Sequence, residues 1–255
     1  MSTDGSEWAS PREIPRAQDQ LFRSGVGARA KYSALIVGRP GWAALIKYEC
    51  VVLMAQAVPG ALGLALRKKL YPLLLGRCGR NVVFGHNVVL RHPHKIRIGD
   101  DVVIDDNCLI DAKGEVNTGI TLGSRVFIGR NSILSCKDGD IEIADGANIG
   151  FNCEVFSASR VTIGAETLVA AYAYLVGGDH VAGDRSKSVL AQGRKSDGVR
   201  VGAGVWIGAG AKVLDGVSIG DRAVIGAGAV VRADVPAGAT AVGIPARVLA
   251  QGPGE

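Results

Sequence analysis

Residues 201–235 read VGAGVWIGAGAKVLDGVSIGDRAVIGAGAVVRADV. An aliphatic side chain recurs at every sixth place: Val201, Ile207, Val213, Ile219, Ile225 and Val231. Four positions after each stands a small residue or valine: Val205, Ala211, Val217, Ala223, Ala229 and Val235. Toward the N-terminus the same triplet returns as Ile163, Val169, Leu175; Ile143, Ile149, Val155; Leu122, Ile128, Leu134; and Ile98, Ile104, Ile110. Once the first residue of each triplet is chosen, every position that follows it in the triplet is Ile, Leu or Val. In the earlier coils the slot four places on holds Val102, Cys108, Gly114, Val126, Ser132, Ala147, Cys153, Ser159, Thr167 and Ala173. Only Asp138 and Asp179 break the small-residue rule.

A fixed short period is the signature of a solenoid. Residues of one parity share one face of a strand, so the aliphatic and the small residue four later both look inward. Each six-residue unit is therefore a short strand and a corner. Three units close a triangular coil, and stacked coils bond edge to edge at about 4.8 Å. Cys108 and Cys153 fall in the small inward column and read as buried filler, not as reactive thiols. Such a core needs few large rings, which accounts for 5% aromatic residues beside 36 glycines in 255 residues.

The triplets begin 24, 21, 20, 38 and 18 residues apart, against 18 for a bare coil. One coil thus carries an excursion of about twenty residues, GGDHVAGDRSKSVLAQGRKSDG, placed at about 178–199. Long insertions in solenoids commonly form the binding face. The coil is expected over residues 81–250. Residues 1–80 differ in texture and read as a helical region, with roughly the first ten residues flexible. Within it, Ala43–Ala57 and Leu62–Leu75 flank a Pro59–Gly60 break, and the basic run Arg67–Lys69 reads as a solvated helix face. The apolar stretch Trp42–Leu66 is interrupted by Lys47, Glu49, Gln56, Pro59 and Gly60, which argues against a spanning helix. Contact with a membrane surface or a carrier protein through these helices stays open.

The net charge of +5 (29 basic, 24 acidic) is too small and scattered for nucleic acid. Five cysteines without paired spacing, and a polar start without a leader pattern, point to a reducing, cytoplasmic setting.

The repeats, the VGGDH at 176–180, the block at 205–231 and the closing VGIPAR at 242–247 resemble the hexapeptide-repeat acyltransferases, nearest in look to the O-acetyltransferases of sugars and small molecules. The resemblance implies a mainly β fold, a left-handed parallel β-helix preceded by helices. It also implies a homotrimer with active sites between subunits, acetyl-CoA or another acyl-CoA as donor, and a histidine general base. His180 matches that histidine, with Asp179, and less directly Asp184, as candidates to orient its ring. By the same match Gly208, Ala209, Gly226 and Ala227 would offer backbone groups to CoA. Arg232 and Arg247 would meet its phosphates, and Trp206 would shape the pocket or cover a corner. His86, His92 and His94 do not reproduce the zinc spacing of the related β-helix carbonic anhydrases, so no metal is expected and the three read as surface residues beside the helical region. The acceptor implied is a sugar, glycan precursor or natural-product hydroxyl. A carrier-protein thioester as donor, and a scaffold without catalysis, are the alternatives.

Overall fold

From Arg77 onward the chain winds through three parallel faces. The computed structural model describes residues 25–249. The first face stacks seven strands from Arg77–Cys78 to Ser218–Ile219, and the third stacks seven from Val89–Arg91 to Val230–Val231. The second runs from Val83–Phe84 to Thr240–Gly243 and is closed by Ala246–Val248, which folds back antiparallel. Registers align the predicted columns. Ile207 lies between Val169 and Ile225, and Ile143 between Leu122 and Ile163. The inward aliphatics are sealed from solvent, Ile104, Ile128, Val155, Leu175 and Ile207 all at 0% exposure. Cys108 and Cys153 lie among them, and burial pushes the Cys108 thiol up to about 11. Filler they are.

The corners show why Asn, Asp and Gly punctuate the repeat. Asn81, Asp101, Arg125, Glu166 and Arg222 stack on the corner after the first face, all with φ between 55° and 58°. Asn87, Asn107, Asn131 and Asn152 do the same after the second, in a left-handed region that Asn tolerates best after Gly. Asparagine side chains bond from coil to coil, Asn81 Nδ2 donating to Asp101 Oδ1 and Asn87 Nδ2 to Asn107 Oδ1.

The third corner behaves differently. The excess residues of the longer coils all fall there, between third-face and first-face strands: Ala112–Gly119, Lys137–Gly139, Ala158–Ser159 and residues 178–198. Gly114 and Ser159, read as inward, therefore sit part-exposed in this corner, and Cys136 and Ser157 fill the core instead. Every irregularity of the solenoid thus collects along one edge.

The helical region caps the first coil. A short helix α1 (Ala28–Tyr32) runs into a π-type turn, Ser33–Val37, that stops at Gly38. Then come α2 (Trp42–Ala55) and α3 (Gly60–Leu70). α2 is apolar around its circumference, but only one side is covered. Tyr48, Val51 and Ala55 are buried on the coil, with Tyr48 Oη donating to Leu90 O, while Trp42, Ile46, Leu53 and Met54 lie exposed. No helix among the described residues is long and apolar enough to cross a membrane.

The basic run is corrected at one residue. Lys68 and Lys69 are solvated, but Arg67 is 1% exposed. Its guanidinium donates to the carbonyls of Ala55 (2.9 Å), Val58 (2.8 Å) and Phe84 (3.0 Å), closing the end of α2 against the second face. Helix ends leave carbonyls unpaired, and a fork of five donors suits them. Arg67→Ala should therefore cost about 3–5 kcal/mol, the usual penalty for stranding a buried polar set. Chemical denaturation should show it as a lower midpoint with unchanged slope, and a loss under about 1 kcal/mol would refute the role.

Candidate active site

The excursion leaves the third face at Gly177 and returns at Gly198. Its root is built by contact. A Cβ on Gly177 would strike Val161 Cγ2 at 2.7 Å, and one on Gly178 would strike the Ala158 Cβ at 2.8 Å, so both glycines let the loop lie directly on the coil. Asp179–His180 then pairs antiparallel with Arg194–Lys195. The returning limb is pinned by Ser196 Oγ, which bonds Ser159 Oγ (2.8 Å) and the Gly177 carbonyl (2.9 Å). The Asp215 carboxylate accepts the amides of Asp197 and Gly198. Burial holds the Asp215 carboxyl above the usual carboxylate range, against the pull of those two amides.

His180 thus stands exposed on a short strand pair with a fixed root. Neither carboxylate suggested as its partner reaches the ring. Asp179 Oδ1 accepts the backbone N–H of His180 itself (2.7 Å). Asp184 is occupied at the loop tip, accepting from Ser186 Oγ (2.6 Å) and pairing with Lys187 Nζ (3.1 Å).

The residues matched to the donor lie elsewhere on the same chain. Trp206 projects outward from the second face between Leu168 and Val224 and is about half exposed. Gly208–Ala209 and Gly226–Ala227 stack at the corner between second and third faces. Gly208 and Gly226 give their N–H groups to Ile225 and Ala241, so these two hold the coil. A side chain on Gly208 would come within 2.5 Å of the Ala227 nitrogen. The amides of Ala209 and Ala227, by contrast, donate to nothing among the described residues. Arg232 is exposed on the third-to-first corner, the edge that carries the excursion, and Arg247 is exposed on the closing hairpin of the second face. The third face separates His180 from the amides of Ala209 and Ala227.

The three histidines near the first coil are not surface groups throughout. His92 is 3% exposed and its Nε2 meets the Ala34 carbonyl at 2.9 Å. His94 is half-buried, and burial, with Arg39 second, pushes its imidazole down to about 4. His86 is part-exposed, with Nε2 3.2 Å from the Ala57 carbonyl. They seat the helical region. Among the described residues no group of three or more His, Cys, Asp or Glu side chains could hold a metal ion.

A three-faced parallel coil with a six-residue period and one long histidine-bearing loop defines a class: the hexapeptide-repeat solenoids. Residues 198–233 match the family model "Bacterial transferase hexapeptide (six repeats)". The chain is 44% identical over 110 residues to Nodulation protein L of Rhizobium meliloti (strain 1021), covering 43% of this chain and 58% of that relative. It therefore spans little more than half the length of that curated relative. The solved polysialic acid O-acetyltransferase OatWY superposes with a TM-score of 0.52 at 22% identity, over 68% of this chain and 80% of that one. The N-acyltransferase AntD from Bacillus cereus, in complex with dTDP and 3-hydroxybutyryl-CoA, gives 0.51 at 21% identity, over 72% and 86%. At such identities the likeness is one of fold. The chain has the repeats and the left-handed β-helix of the hexapeptide-repeat acyltransferases.

Proposed function

We propose that the protein transfers an acyl group, acetyl in the simplest case, from a CoA thioester to a hydroxyl of a sugar or glycan precursor. The working unit is a cytoplasmic homotrimer, and each site is shared by two copies. The observation that carries this reading is the separation of the two halves. His180 stands on the third-to-first corner, and the amides of Ala209 and Ala227, unpaired among the described residues, stand on the second-to-third corner. A neighbour that brought its second-to-third corner against the excursion would join them. Five free thiols suit a reducing compartment.

In that site the His180 imidazole takes the proton of the acceptor hydroxyl as its oxygen attacks the thioester carbonyl. The tetrahedral intermediate carries its charge on the former carbonyl oxygen, which needs fixed N–H donors. Collapse breaks the C–S bond, and the imidazolium returns the proton to the departing thiolate. Asp179 acts on the main chain, fixing the strand pair from which the ring projects. The ring's orienting partner then comes from the neighbour or from the acceptor.

Hybrid trimers test the sharing. His180→Ala lacks the base, and Ala209→Glu/Ala227→Glu obstructs the donor corner, so each alone should be nearly inactive. Co-expressed, they should recover about one quarter of the wild-type rate, because one interface in four then joins an intact base to an intact corner in a head-to-tail ring. Folded hybrids with no recovered activity would overturn the shared site.

A further inference from the structure

Along the corner that carries His180, a cavity of about 630 Å³ opens between the α1–α2 connection and the first three coils. Among the described residues its lining includes Arg29, Arg39, Lys95, Lys113 and Lys137 against two carboxylates, Glu115 and Asp138. The acids belong to the corner: Asp138 Oδ1 accepts the Glu115 amide. Lys95 is also engaged, its Nζ donating to Gly114 O (2.7 Å) and Asn117 Oδ1 (2.8 Å), and Arg29 lies over the Trp42 ring. Arg39, Lys113 and Lys137 have no carboxylate within ion-pair distance among the described residues. Three cations without a counter-charge there thus converge on one cavity.

His92, 3% exposed, lines the same cavity, its Nε2 held at the Ala34 carbonyl and its Nδ1 turned to Asp111 Oδ1, 3.8 Å away. The buried Nδ1 of His94 is unpartnered. Buried polar atoms are seldom left unmet. Gly38, whose φ of 72° ends the π-type turn, packs against both rings, and a side chain there would collide with His92.

Its position connects it to the chemistry. Lys137 follows Cys136, which pairs with Ser157, which pairs with Gly177, so Lys137 lies two rungs below the root of the excursion. At about 4.8 Å per rung that is about 10 Å, the span of a sugar carried on a diphosphate. A lone carboxylate needs neither this volume nor three cations. A phosphate or diphosphate, with doubled charge and several acceptor oxygens, uses both a guanidinium fork and ammonium groups.

We propose that this cavity binds the phosphate or diphosphate of the acyl acceptor, so that the substrate is a phosphorylated sugar whose hydroxyl reaches up the corner to His180. The inference rests on the acyltransferase reading above. Calorimetry on the full-length protein at low salt tests it, with inorganic pyrophosphate, UDP-N-acetylglucosamine and CoA as probes. Wild type should bind pyrophosphate, and Lys113→Ala/Lys137→Ala should weaken it at least tenfold while CoA affinity stays within twofold. The sugar diphosphate should bind more tightly than pyrophosphate and lose affinity in the same variant. Absent pyrophosphate binding, or equal affinity in variant and wild type, would overturn the site. Binding of pyrophosphate with no gain for the sugar diphosphate would overturn its role in holding the acceptor and leave a free-anion site. Failure of CoA to bind wild type would strike the acyltransferase reading instead, and is read independently.

Discussion

His180→Ala should lower kcat by about two to four orders of magnitude, the range expected when a positioned base is lost. The Kd for a CoA thioester should stay within about twofold. The split result follows from placement. The imidazole stands on the excursion, on a different edge from the amides of Ala209 and Ala227, so under the proposed function its removal touches the acceptor half alone. The fold should be untouched as well. His180 is exposed, and its part in the strand pair is made by its backbone. Equal melting temperatures would verify this, and His86→Ala, remote on the first coil, should keep the normal rate. Rapid-quench measurement with acceptor and thioester saturating separates chemistry from binding. A His180→Ala variant that kept most of its rate would remove His180 from the mechanism.

The fold was legible because a two-residue strand and a corner impose an inward position every six residues, and a solenoid has few ways to violate it. Where it is violated, at Asp138 and Asp179, the chain has left the coil for the third corner, so the exceptions mark the edge that carries the excursion. The excursion itself was visible as a spacing of 38. What resisted reading has one cause: packing between segments distant in sequence. Arg67 looks like a solvated cation beside Lys68 and Lys69 until α2 presents its carbonyls. His92 looks like a surface histidine until the turn at Ser33–Gly38 folds across it. Asp179 adjoins His180 in sequence, yet adjacency along a strand points successive side chains to opposite faces, and its carboxylate turns to the backbone. The cationic cavity gathers residues from five segments between Arg29 and Asp138, and no window of sequence contains it.

Ile207→Asp should unfold the middle and late coils, and its neighbour supplies the control. Ile207 has no exposed surface and sits in a column between Val169 and Ile225. A carboxylate there would find only aliphatic neighbours in the column, and burying an unpaired charge costs several kcal/mol even after relaxation. Domains hold a margin of about 5–15 kcal/mol in total, so one such group consumes much of it. Each coil of a solenoid contacts chiefly its neighbours, so the damage should spread outward from residue 207 and free the C-terminal coils first. Limited proteolysis should cut between 199 and 235 before the first coils, and the melting temperature should fall by about 10 °C or more, by an order-of-magnitude conversion of that cost. Ile207→Val removes one methylene and should cost only about 0.5–1.5 kcal/mol. Trp206→Asp, one residue away but outward and half exposed, should leave the melt within a few degrees. If Trp206→Asp proved as disruptive as Ile207→Asp, alternation across the strand would not be what orders this core, and the six-residue reading would fail with it.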